Sequence, residues 1–170
     1  NIIRYNYFHD NTDLQGMIYL DDMQSGYKIY GNVFDGCGRA VFVHGGVCNE
    51  FKNNLVMNTH SNVLSVIVNG ESGAKIKTEP SVSTLLSALM KYDYKNEPWN
   101  KYEKAFRFID NDEYITFNSN GVAILPAYDT VISDNIFYNP ESGLKVGVAK
   151  ETQDYVIISD NKSISKEEHP

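Results

Sequence analysis

Five asparagines constrain this chain more than any other feature. They sit in similar windows: NIIRYNYFHD around Asn6, YKIYGNVFDG around Asn32, NEFKNNLVMN around Asn54, TVISDNIFYN around Asn135 and VIISDNKSIS around Asn161. The steps between them are 26, 22, 81 and 26 residues. In each window, alternating residues of β-branched or aromatic character lead up to the Asn, and a second short strand follows. A third strand comes after a turn, in MIYLDD at 17–22, AVFVHG at 40–45, VLSVIVNG at 63–70 and LKVGVA at 144–149. Short strands repeating at this period, with Asn and Gly at the corners, predict a parallel β-helix. In such a solenoid a coil buries its apolar face only against its neighbours. Asn suits a corner because it tolerates left-handed backbone angles, and stacked Asn side chains can hydrogen-bond from coil to coil. An antiparallel sandwich with Asn-rich turns would account for the strands but not for the fixed period.

The long step holds an insertion. Leu85, Leu86, Leu89 and Met90 fall at helical spacing, with Ser83 or Thr84 as a cap. After Pro98 a second short helix is expected, carrying Trp99, Tyr102, Phe106 and Ile109. The expected fold class is therefore all-β, a parallel β-helix with a partial set of coils and a helical insertion at about 80–110. Residues 1–170 read as one domain. Its first residues already lie inside a strand pattern, so the chain reads as the C-terminal part of a longer protein. The insertion either packs on one side of the solenoid or forms a wall over a groove.

Composition narrows the partners. A formal net charge of -7 and a pI near 5.0 leave no basic stripe for phosphates, so nucleic acid is not an expected partner. No apolar run is long enough for a membrane-spanning helix, so no membrane partner is expected. Cys37 and Cys48 lack the paired spacing of a zinc site; buried free thiols or a bridge between turns both remain open.

The stretches NIIRYNYFHD and GMIYLDDMQSGYKIYGNVFDGCGRAVFVHGGVCNEFKNNLVMN resemble bacterial right-handed parallel β-helix proteins of the pectate-lyase-like superfamily. More narrowly, they resemble large secreted proteins known only as right-handed β-helix repeat proteins. EPWNKYEKAFRFI is similar to a segment that those proteins carry before their last coils. The resemblance spans roughly 1–70 and 80–165. It implies a right-handed solenoid and an extracellular, periplasmic or cell-surface location. It also implies a polysaccharide or oligosaccharide partner and the remainder of a longer β-helix. Relatives include polysaccharide lyases, glycoside hydrolases, epimerases and proteins without known activity, so the fold alone does not select a reaction. This chain has Asn69 where the similar proteins end the third-coil strand in an acidic residue.

A β-helix arranges residues in rows, about 4.8 Å apart from coil to coil. The ends of the third strands predict one row: Asp21 and Asp22, then His44, then Asn69 with Glu71. Matching Ile18 to Val41 and Leu20 to Val43 puts Asp21 beside His44. Glycoside hydrolysis needs two carboxylates flanking a sugar. Adjacent Asp21 and Asp22 point to opposite faces of a strand, so the expected pair joins one of them to Glu71, Asp10 or Asp35 of a neighbouring coil. His44 acts as an acid or orients the carboxylate. Asp21, Asp22 and His44 are thus the catalytic candidates, with Arg39, Asn69, Glu71 and Trp99 expected to bind substrate. A structural role is equally open, with an Asp capping the turn DDMQSG and His44 only stacking.

The expected function is a carbohydrate-active domain, glycoside hydrolase-like. The alternatives are a non-catalytic glycan-binding or structural segment, or a polysaccharide lyase. A lyase needs a base such as Arg39, and commonly calcium held by acids such as Asp10, Asp13, Asp21, Asp22 and Asp35. No calcium-loop spacing is present. No other cofactor and no metal site are expected.

Overall fold

The structure, a computed structural model, describes residues 1–13, 15–21, 23–60, 64–67, 91, 95–102, 113, 115–117, 119–138 and 146–165. The first coil is β1 (Ile2–Arg4), β2 (Tyr7–His9) and β3 (Ile18–Leu20). The second is β4 (Lys28–Tyr30), β5 (Val33–Asp35) and β6 (Val41–His44), and the third is β7 (Glu50–Lys52), β8 (Leu55–Met57) and β9 (Leu64–Ile67). A hairpin, β10 (Thr116–Phe117) and β11 (Ala123–Ile124), belongs to the insertion. The fourth coil is β12 (Thr130–Ser133), β13 (Ile136–Tyr138) and β14 (Val146–Val148), and β15 (Val156–Ser159) with β16 (Lys162–Ile164) continues into a fifth.

Equivalent strands pair in parallel. The first sheet runs β1-β4-β7-β12-β15, the second β2-β5-β8-β13-β16, and the third β3-β6-β9-β14. The result is a β-solenoid of about 4 turns, all-β as expected and with almost no helix among the described residues. The sandwich alternative fails because, among the described residues, the β10–β11 hairpin alone is antiparallel.

The period-2 alternation of each strand builds the interior. Ile29, Phe51 and Ile132 stack in register in the first sheet, Phe34, Val56 and Phe137 in the second, and all six are buried. Phe8 stacks on Phe34 with ring centroids 4.9 Å apart. Ile18 and Leu20 meet Val41 and Val43 in the third sheet.

The five Asn form a continuous ladder at the corner between the first and second sheets. The Nδ2 groups of Asn6, Asn32, Asn54 and Asn135 each donate to Oδ1 of the Asn one coil later, at 3.0, 3.0, 3.1 and 2.8 Å. The backbone N–H of each donates to the same oxygen. The corner geometry corrects one part of the expectation. The left-handed residue is not the ladder Asn but the one before it: Tyr5, Gly31, Asn53, Asp134 and Asp160, with φ of 58, 65, 52, 58 and 56°. The ladder position is thus selected by side-chain hydrogen bonding. Gly31 meets both demands of its row, since a Cβ there would lie 2.6 Å from the Tyr5 ring.

The insertion leaves the solenoid after β9 and returns at β12. Of the segment expected to be helical, residues 91 and 95–102 are described, and they contain a short 3-10 turn at Asn100–Tyr102. The helix expected over 83–90, and most of the second one, lie outside the described residues. Past β11, Leu125 and Tyr128 bury with Val47, against Met23, Cys48, Ile115 and Tyr155.

Candidate functional site

The third sheet carries the candidate site on its outer face. Its strands point Ile18, Leu20, Val41 and Val43 inward, so Tyr19, Asp21, Phe42 and His44 point out. The pairing of Leu20 with Val43 brings the next residues, Asp21 and His44, side by side. Nδ1 of His44 lies 2.8 Å from Oδ1 of Asp21. An ionised carboxylate has no proton to give, so Nδ1 carries the hydrogen and donates it. That tautomer leaves Nε2 as the proton-accepting nitrogen, and Nε2 has no hydrogen-bond partner among the described residues. His44 is about three-quarters buried and Asp21 half-buried, so the pair is reachable from solvent but partly dehydrated.

Aromatic rings frame the pair. Tyr19 stacks on His44 with centroids 6.1 Å apart and planes 20° apart, and its hydroxyl lies 3.3 Å from the same Nδ1. Tyr19 also packs on Phe42 at 4.9 Å. Arg39 comes just before β6, and its guanidinium carbon lies 4.9 Å from the centre of the Phe42 ring. Burial lowers its pKa from the ordinary value, and Nε is buried with no hydrogen-bond partner among the described residues. It is a partly dehydrated cation held on an aromatic ring.

The turn after Asp21 is closed by its own backbone, Gln24 N–H donating to Asp21 C=O at 3.1 Å. Met23 N–H donates to His44 C=O at 3.1 Å, which ties the two coils together beneath the pair.

The other expected site residues fall elsewhere. Asp22, Asn69 and Glu71 lie outside the described residues. The register of the third coil nevertheless corrects the expected row: His44 pairs with Ile67, so Ile67 and not Asn69 is its neighbour. The expected alignment was two positions out. A two-residue slip preserves the in–out alternation, so apolar patterning cannot detect it. Trp99 sits on the turn that includes the Trp99 N–H to Asn96 C=O bond, and is partly exposed. Among the described residues, the contacts that assemble the face are made by Tyr19, Asp21, Arg39, Phe42 and His44.

Asp10 and Asp35 engage partners at the second sheet. Asp10 pairs with His9 at 2.8 Å, while Asp35 accepts from Tyr7 at 3.2 Å and from Asn58 at 2.7 Å. Phe42 is the residue of the face that sequence reasoning passed over. Its signal was positional: it alternates with Val41 and Val43, and so had to face outward beside Tyr19.

No protein-family model, no curated protein and no solved structure matches the chain. No group of three or more metal-ligating side chains is present among the described residues.

Proposed function

We propose that the outer face of the third sheet binds a glycan and acts on it through the Asp21–His44 pair, as a glycoside hydrolase-like domain. The observation that supports this reading is the 2.8 Å contact that gives a carboxylate-oriented imidazole a solvent-reachable place beside two aromatic rings. Tyr19 offers a flat apolar surface of the kind on which sugar rings stack, with a hydroxyl at its edge. Asp21 fixes the tautomer of His44, and Nε2 takes or returns a proton on the sugar or on an attacking water. Arg39, whose Nε has no hydrogen-bond partner among the described residues, supplies donors for a sugar hydroxyl or carboxylate.

A second reading, glycan binding without cleavage, has its own support. Asp21 is the one carboxylate on this face among the described residues, whereas hydrolysis of this type uses two.

The test is product release and binding across a panel of polysaccharides. In the hydrolase reading, Asp21→Asn lowers turnover about 10²–10⁴-fold with binding retained, because the amide no longer orients the imidazole as an acceptor. Wild-type protein that binds a glycan and releases no product decides for the second reading. Absence of both binding and cleavage across the panel rejects the carbohydrate assignment.

A further inference from the structure

The outer face of the first sheet gathers cations, against the acidic balance of the whole chain. Ile29 and Phe51 point inward, so Lys28, Tyr30, Glu50 and Lys52 point out, and Arg4 pairs in register with Tyr30. Arg4, Tyr30 and Lys52 thus form one row over three coils, about 10 Å long at the ~4.8 Å spacing of neighbouring strands. Lys28 flanks the row. Glu50 is shared, with Oε1 3.7 Å from Lys28 Nζ and Oε2 3.5 Å from Lys52 Nζ. Three cations therefore face one carboxylate, on a chain of formal net charge -7. Salt screens the distant carboxylates beyond about 8–10 Å, so the local excess decides what this face attracts. Coils stack along the solenoid axis, so a further coil before β1 would lengthen this face without covering it.

The row is also arranged for an anion. Arg4 Nη1 donates to the Tyr30 hydroxyl oxygen at 2.9 Å, and its guanidinium carbon lies 5.4 and 5.9 Å from the centres of the Tyr5 and Tyr30 rings. The cation is held before a ligand arrives, so less freedom is lost on binding. Tyr30 is the acceptor in that bond, so its own O–H proton is left to donate, and no acceptor for it is present among the described residues. Guanidinium, phenol and ammonium then offer donors from three successive coils. A sulfate ester has three terminal oxygens to receive them, where a planar carboxylate has two. Beyond Lys52 the row continues as Ser133 and Ser159, followed at the corner by Asp134 and Asp160, which confines the anion to the first three coils.

We infer that this face binds a sulfated glycan, with a sulfate seated over Tyr30 between Arg4 and Lys52. Duplex nucleic acid, with one charge per ~1.7 Å, demands more cations than the face holds. A sulfated glycan spaces its anions by whole sugars and brings apolar ring faces to Tyr5 and Tyr30, which meet edge to face at 5.9 Å. The site is separate from the Asp21–His44 pair, which lies on the third sheet, and does not rest on the reading of that pair.

Affinity electrophoresis and calorimetry on the full chain, with chondroitin sulfate and dextran sulfate as probes, test this. The wild-type protein binds both, and binding weakens as salt rises. Chondroitin stripped of its sulfates keeps its carboxylates and binds at least about tenfold more weakly. Arg4→Gln, Lys52→Gln and Tyr30→Phe each lower affinity about tenfold, because each removes a hydrogen bond to a charged group, and each keeps the wild-type urea midpoint. Lys162→Gln removes an exposed cation from the second sheet and leaves affinity within about twofold. Should Tyr30→Phe fail to fold, Arg4→Gln and Lys52→Gln carry the test.

No binding of either sulfated polymer overturns the inference. Equal binding of desulfated chondroitin overturns the sulfate assignment, and an equal loss in Lys162→Gln reduces the effect to net charge. Binding that survives all the first-sheet substitutions but is lost in Asp21→Asn moves the glycan to the third sheet and overturns the inference as well.

Discussion

Replacing Asn54 with Ala tests the source of the fold's stability. Asn54 is almost fully buried in the middle of the ladder. The substitution removes five hydrogen bonds. Two are accepted by Oδ1, from N and Nδ2 of Asn32, at 3.0 Å each. Three are donated by Nδ2, to Ile29 C=O and Lys52 C=O at 3.0 Å and to Asn135 Oδ1 at 3.1 Å. The Asn32 side chain keeps Ile3 C=O and Tyr30 C=O as acceptors, but its backbone N–H is stranded in a dry interior. One stranded buried donor costs about 1–3 kcal/mol, and the two carbonyls that lose donors raise the total to about 3–5 kcal/mol. That is a large fraction of the roughly 5–15 kcal/mol that holds a typical domain together.

Asn6→Ala is the matched control. Asn6 is exposed, its Oδ1 has no donor among the described residues, and Asn32 Oδ1 keeps the backbone N–H of residue 6 at 3.1 Å. Its loss should cost less than about 1 kcal/mol. Urea unfolding followed by circular dichroism reads both variants as shifts in midpoint at constant slope. Equal costs at the two positions would refute the argument that buried ladder bonds, rather than Asn as a residue type, stabilise the coils.

Two further predictions use the same assay. Burial pushes the Cys37 thiol up from 9.0 to about 11, so thiol reagents should modify Cys48 in the native protein and reach Cys37 only on unfolding. The folded state then keeps a proton that the unfolded state loses above pH 9. Stability should fall as pH rises from 9 to about 11, and Cys37→Ala should remove that slope; an unchanged slope rejects the assignment. At Gly46, with φ +88°, a Cβ would collide with the Gln24 carbonyl, whereas at Gly26, with φ +72°, it would meet open space. Gly26→Ala should cost about 1–2 kcal/mol for the left-handed backbone alone, and Gly46→Ala more than about 3 kcal/mol. Similar midpoints for the two would show that the coil-to-coil contact at Gly46 is not as close as described.

The ladder was legible in the sequence because its spacing is a consequence of coil length. Asn6, Asn32, Asn54, Asn135 and Asn161 keep their place whether 22 or 81 residues intervene, since all extra chain is accommodated at the other corners. The left-handed row was marked too, since Gly31, Asn53, Asp134 and Asp160 are the residue types that adopt a left-handed backbone most readily, and Tyr5 alone breaks the pattern. The Asn beside them looked like the turn former because Asn is common in turns, when its task is to satisfy buried donors of the next layer.

The site divides along the same line. Asp21 beside His44 could be read from residue types, because Ile18–Leu20 and Val41–Val43 align in one way that keeps apolar side chains inward. In the third coil the run from Val63 to Val68 is apolar at Val63, Leu64, Val66, Ile67 and Val68, so two alignments bury an apolar set equally well. The folded chain takes the one that puts Ile67 against His44. The consequence bears on mechanism. The row does not extend as acid, imidazole, amide; it stops at an apolar position after two coils. The insertion departs from β9, the strand that pairs directly with the strand of His44. Any second carboxylate that completes a hydrolytic pair therefore has to come from beyond the regular row. The irregular part of the chain, rather than the repeat, is where the difference between cleaving a glycan and holding one would lie.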